Sequence, residues 1–256
     1  FRRNICCARW LAAGRHNVTL WKSFGASVRG PGHIATGTAN QDAWSSFHQI
    51  WGDGIVISDG VGSIPLSNFG SEAACRAVQY AALALGEQTE INLDFLFNRI
   101  RDNWLSLIGP LEPRDCSATC LFAFRLGDGA IHLGMLGDGL AAAVKSDGSV
   151  VSLSEDKSLG FSNITVALSP NVSAKDWRHL SLLEEDCLAI LLCTDGVADD
   201  LDNVDGFVKG VIEAHCTLGA VSANQHIREM LENWPTPKHS DDKTIACLCR
   251  EEITNG

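Results

Sequence analysis

Three apolar runs in this chain, GIVISDG at 54–60, IHLGMLGDG at 131–139 and LAILLCTDG at 188–196, each end in an Asp-Gly pair. The last continues as TDGVADD, so Asp199 and Asp200 follow Asp195 closely. Such runs read as strands buried on both faces. A buried strand that ends in carboxylates is costly unless something neutralises them. The dipeptide alone carries little weight, because Asp-Gly is a common turn signal and occurs seven times here. Asp53, Asp128 and Asp147 sit between short strand candidates and read as hairpin turns, and Asp205 lies in a polar stretch before a helix. Position sets the other three apart, since strand ends are where a rigid scaffold presents ligands. Asp42, in TANQDAW, starts a strand candidate, and Asp241 and Asp242, in HSDDKTIACL, precede the last one.

Between these points the hydrophobic period changes twice. WKSFGASV, DAWSSFHQ and GIVISD read as strands. SNFGSEAACRAVQYAALALG, with a cap at Ser67 or Asn68, and LDFLFNRIRDNWLSLI read as amphipathic helices. Seven strand candidates follow: CSATCLFAFRL, GAIHLGMLGD, GLAAAVKSDGS, VVSLSE, NITVALS, WRHLSLL and DCLAILLCTD. DGFVKGVIEAHC and SANQHIREMLENW return to helical spacing, and KTIACLCR closes as a strand. This order predicts an α+β layered domain with mainly antiparallel sheets. Residues 21–256 are expected to form one domain, with the basic stretch 1–20 an extension outside it.

Composition narrows the function. At 256 residues and 45% hydrophobic the chain has material for an ample core, and no apolar run reaches the roughly 18–20 residues of a membrane span. A net charge of −11 argues against nucleic-acid or anionic-membrane partners and suits a protein that keeps carboxylates for cations. The ten cysteines include no CxxC pair, and most lie in strand-like runs. They read as reduced structural thiols of a cytoplasmic protein.

Taken together, NQDA at 40–43, SDGVGS at 58–63, CSAT at 116–119, LGDG at 136–139, TDGVADD at 194–200 and DDKT at 241–244 resemble, in order, the motifs of the metal-dependent Ser/Thr protein phosphatases of type 2C, especially their compact bacterial branch. They span about 205 residues. The resemblance implies an α-β-β-α sandwich, two stacked sheets flanked by helix pairs, with metals at one end. It implies two Mn²⁺ or Mg²⁺ ions, since oxygen-only ligands suit hard cations. Asp59 would bridge them, the Gly60 carbonyl would help hold one, Asp195 and Asp241 would bind the other, and Asp42 would act through water. A hydroxide bridging the cations would attack the phosphorus of phosphoserine or phosphothreonine in proteins, opposing a Ser/Thr kinase. Asp138 and Asp199 would share a third, weaker ion.

The chain also departs from the family pattern. Gln41 stands where many members have Glu, and Val61 where well-known members carry His. The usual phosphate-binding Arg falls at or near Gly37, leaving Arg29 or His33 to replace it. The segment between the third-ion motifs and the last strands is short. Two rival readings remain open: a catalytically weak phosphatase-like module that binds phosphoprotein, and a cation-dependent hydrolase of small phosphoesters. A haloacid-dehalogenase mechanism is excluded, since no DxDxT motif is present.

Overall fold

The computed structural model describes residues 20–251 except 63, 87, 89, 155–165 and 236–239. The first part of the chain forms β1 (Leu20–Val28), α1 (Pro31–Thr36), β2 (Ala43–Gln49), β3 (Gly52–Ser58), α2 (Ser67–Leu85) and α3 (Leu93–Ile108). A run of strands follows: β4 (Cys120–Arg125), β5 (Ala130–Leu136), β6 (Leu140–Lys145), β7 (Val150–Ser154), β8 (Arg178–Leu183) and β9 (Cys187–Cys193). The chain continues through α4 (Asp195–Ala198), α5 (Val204–His215) and α6 (Ala220–Glu232) into β10 (Lys243–Glu251).

The strands make two antiparallel five-stranded sheets, ordered β1-β10-β9-β6-β7 and β2-β3-β4-β5-β8. Three apolar layers hold them. Ile55, Ile57, Leu121, Leu133, Leu192 and Leu248 fill the space between the sheets. Val56, Phe122 and Phe124 pack on the outer side against Val78, Leu85 and Trp104 of α2 and α3. Phe24, Leu191 and Cys247 pack on the other side against Val208 and Ile227 of α5 and α6. The result is the four-layer α-β-β-α arrangement. Cover on both faces explains why β3 and β9 are continuous apolar runs. No helix among the described residues is long and apolar enough to cross a membrane.

Several local expectations are corrected. Asp53 is no turn residue: it lies within β3, cross-strand from His48, with its carboxylate turned between the sheets. The N-cap position of α2 is Leu66 without a side-chain cap, and Ser67 is fully buried inside the helix start. Residues 166–169, the described part of NITVALS, form no strand, because they run beside the β4 approach with Leu168 N–H donating to the Ala118 carbonyl. Cys216 and Cys249 are joined by a disulfide, so the reduced-thiol reading fails for this pair. The end of α5 comes over β10 at a Cα–Cα separation of 6.2 Å, a proximity that 33 residues of chain conceal. Cys75, Cys116, Cys120, Cys187, Cys193 and Cys247 are free and buried. The proposed extension lies outside the described residues except for Leu20, which already belongs to β1.

Helix α2 reaches the site through a close backbone crossing. A side chain at Gly70 would run into the Cys116 carbonyl, while the Trp104 Nε1–H donates to the Gly70 carbonyl at 3.0 Å. Gly70→Ala should therefore push α2 off this segment and lower stability by about 1–3 kcal/mol, read as a lower urea midpoint at unchanged slope.

Candidate metal centre

Strand register gathers the carboxylates. Ala43 pairs with Ser58, so Asp42 and Asp59 leave β2 and β3 at the same end. Leu140 pairs with Cys193, which places the β5–β6 bend holding Asp138 beside the end of β9 and Asp195. Gly137 and Gly139, at φ of 98° and 110°, make that bend sharp in a way other residues resist. Thr194 N–H donates to the Thr244 carbonyl at 3.1 Å, tying the end of β9 to the approach of β10 that carries Asp241. Carboxylate oxygens of Asp59, Asp138 and Asp195 lie within 4.8 Å of one another.

Asp59, Asp195 and Asp241 are held through their backbones, and Asp42 through its side chain. The Asp59 N–H donates to Thr119 Oγ1 at 2.9 Å, and the Asp59 carbonyl accepts from Thr119 N–H at 2.8 Å. Gly60 is buried, its N–H donating to the Gln41 carbonyl, and a side chain there would meet Gln41 and Ser67 at 2.8 Å. Asp42 Oδ2 accepts from the hydroxyls of Thr194 (2.9 Å) and Thr244 (2.7 Å). Asp195 opens α4, and Asp199 N–H closes that turn on the Asp195 carbonyl at 2.9 Å. The Asp241 carbonyl accepts from the buried ammonium of Lys243 at 2.8 Å.

Asp242, next in sequence, has a different job. It is 2% exposed and accepts from Gly30 N–H at 2.7 Å and Gln41 N–H at 2.6 Å, pinning two loops to β10. His33 joins this corner, its Nδ1 2.9 Å from Asp242 Oδ2 without hydrogen-bond alignment. Ligand atoms of His33, Asp241 and Asp242 lie within 4.8 Å of one another. Arg29 does not join the carboxylates: its exposed guanidinium donates to the Thr38 carbonyl at 3.2 Å. The sequence reading named Asp242 beside Asp241 but gave it no role, and it overlooked Thr119, Thr194 and Thr244. The signal was present, since each lies inside a quoted motif, but hydroxyls beside aspartates read as ordinary strand residues.

The electrostatics are those of like charges forced together. Burial foremost, with Asp242 nearby, pushes the Asp42 carboxyl up to about 7 against the lowering effect of its hydroxyl donors. Asp59 is pushed well above the carboxylate range by burial, then by Asp42, Asp195 and Asp241. Asp195 rises to about 6 through burial, then Asp138, Asp241 and Asp199. Asp42 Oδ1 and Asp195 Oδ1 are buried without a hydrogen-bond donor among the described residues. Buried oxygens without donors, in a set made of oxygens only, fit hard divalent cations. Thiol chemistry does not fit: burial pushes Cys75 up to about 12 and Cys120 and Cys247 well above their ordinary range. Because Asp42 and Asp195 hold protons more tightly folded than unfolded, their contribution is complete below pH about 4 and is lost as pH rises through about 6 and 7. Cation-free protein should therefore melt at lower temperature at pH 8 than at pH 5, and Asp59→Asn should flatten that fall in a melt series.

Comparison with known proteins gives this geometry a family. The sequence model of protein phosphatase 2C matches residues 29–232. No curated protein matches the chain in sequence. The fold is similar to a bacterial serine phosphatase, with TM-score 0.65 and 16% identity over 91% of this chain and 98% of that one. It is similar to the photosystem II phosphatase PBCP, with TM-score 0.65 and 14% identity over 90% and 99%. A third likeness is the catalytic domain of the serine threonine protein phosphatase PstP in complex with 2 manganese ions, with TM-score 0.58 and 16% identity over 92% and 100%. With four-fifths of its length matched, an α-β-β-α sandwich and its carboxylates at one end, the chain belongs to the protein phosphatase 2C family.

Proposed function

We propose that this protein hydrolyses phosphoserine and phosphothreonine in proteins with Mn²⁺ or Mg²⁺ as cofactor, opposing a Ser/Thr kinase. The observation that carries this reading is the meeting of Asp42, Asp59, Asp138, Asp195 and Asp241 at one end of the sandwich, with buried oxygens that lack donors. Asp59 with the Gly60 carbonyl, Asp195 and Asp241 would hold two cations, and Asp138 with Asp199 a third. When bound, the cations supply positive charge toward the phosphoryl oxygens and an acidified water as nucleophile. Asp42 is fixed by two threonine hydroxyls through Oδ2, so its free Oδ1 is the atom available to accept from and orient a water. Val61 has no proton to give the leaving alkoxide. Of the two candidates for the substrate phosphate, His33 is the better placed, because it stands beside the carboxylate cluster with Asp241 and Asp242 while Arg29 is engaged at Thr38. The buried free thiols take no part.

Excess chelator should abolish phosphopeptide hydrolysis and Mn²⁺ should restore it; full turnover in chelator would sink the proposal. Asp59→Asn should lower the rate by about a thousandfold and shrink the Mn²⁺-induced rise in melting temperature. Asp199→Ala should keep most of that rise. It should lose more rate on phosphoserine peptide, whose alkoxide leaves poorly, than on an aryl phosphate. Equal losses on both substrates would remove Asp199 from leaving-group chemistry.

A further inference from the structure

At the end of the sandwich opposite the carboxylates, Ser23 of β1, His48 of β2 and Asp53 of β3 form a linear relay. Ser23 Oγ lies 2.8 Å from His48 Nε2, and His48 Nδ1 lies 2.8 Å from Asp53 Oδ1. A carboxylate can only accept, so Nδ1 carries the proton, and in the neutral imidazole Nε2 then accepts from the serine hydroxyl. The aspartate is fixed from its far side, where Arg125 Nε donates to Asp53 Oδ2 at 3.2 Å with Nη2 at 3.1 Å. Arg125 lies 3.7 Å from Glu184, which accepts from Trp21 Nε1–H at 3.1 Å. The aspartate side chain is 12% exposed and the imidazole 40%, so the orienting group is dry and the base can be reached. Ser23 is set about 13 Å along β1 from Ser27, which adjoins the Asp42 site through Thr244, so the two sites do not overlap.

Gly25 N–H donates to Asn224 Oδ1 of α6, and strand alternation turns the Ser23 N–H toward the same edge of β1, away from β10. Beyond Arg125, Glu184 also lines a cleft of about 430 Å³ with Gly129, Leu183, Glu185 and Arg250, a cleft that Ser23, His48 and Asp53 do not themselves line. Two glutamates on its wall, in a chain of net charge −11, disfavour an anionic acyl group.

We infer that Ser23, His48 and Asp53 form a second, cation-independent site for acyl transfer from small uncharged carboxylic esters. Ser23 Oγ forms a bond to the acyl carbon while its proton passes to His48 Nε2, and the ester C–O bond breaks as that proton moves to the leaving alcohol. Water, deprotonated by His48, then releases the acid and restores the serine. Asp53 is a positioning residue that holds the imidazole tautomer.

The test uses the full chain in excess chelator, with p-nitrophenyl acetate as substrate and a fluorophosphonate as covalent probe. Peptide mapping should find the probe on Ser23, and Ser23→Ala and His48→Gln should each lose at least about tenfold in label and ester turnover. Asp53→Asn should lower kcat rather than raise KM. Ser23→Ala removes one oxygen and should leave the melting temperature and Mn²⁺-dependent phosphopeptide hydrolysis within about twofold of the parent, which separates this site from the phosphatase. Absence of label on Ser23, or ester turnover that survives Ser23→Ala, overturns the inference.

Discussion

Like-charged carboxylates crowded together and partly withdrawn from water are the constraint on which the rest of this molecule depends. Asp42, Asp59 and Asp195 all take up protons more readily than free aspartates, because burial and neighbouring charge disfavour their ionised forms. Left to themselves the loops would separate. They are kept in place by bonds that do not use the free carboxylate oxygens: Thr119 on the backbone of Asp59, Asp242 on the backbones of Gly30 and Gln41, Lys243 on the carbonyl of Asp241. Repulsion is thereby carried by the scaffold, and the site remains open to a cation.

That scaffold needs rigid strands and very close backbone approaches. Both sheets are covered on both faces, so strand ends have little freedom to move. The approaches are made by glycines. A side chain at Gly196 would collide with the Asp242 carbonyl, and one at Gly30 would strike the backbone of Asp241. These strand-end Asp-Gly pairs thus combine two properties: a carboxylate of the cluster in the first position and, in the second, room for a neighbouring chain to pass. At Asp138 the flanking glycines serve the turn as well, and a side chain at Gly139 would meet the Cys193 carbonyl at 2.7 Å.

The opposite end of the sandwich obeys other rules. There the polar row of Trp21, Ser23, His48, Asp53, Arg125 and Glu184 pairs charges of opposite sign and satisfies its buried members directly. One end therefore needs an external ion for charge balance, whereas the other is balanced by the protein itself. This difference is why one Asp-Gly aspartate stands among like charges at 59 and another is paired with His48 and Arg125 at 53.

What the sequence determined was everything that depends on a local window. Period two and period 3.6 placed both long helix pairs and nearly every strand, because side-chain direction repeats along the backbone whatever lies opposite. The ordered motifs carried the family and all five clustered aspartates, since each follows or precedes an apolar run. Tertiary structure decided what depends on register. Asp53 became a cross-strand partner of His48 and Arg125, where its dipeptide had promised a turn. Asp242 became a brace for residues 212 and 201 positions away, while its neighbour Asp241 faced the site. Cys216 met Cys249, and Ser23 met His48 across two sheet edges. Such pairings follow from which strand lies beside which and in what alignment. Those choices are made by burial summed over whole sheets, and no short stretch of residues contains that sum.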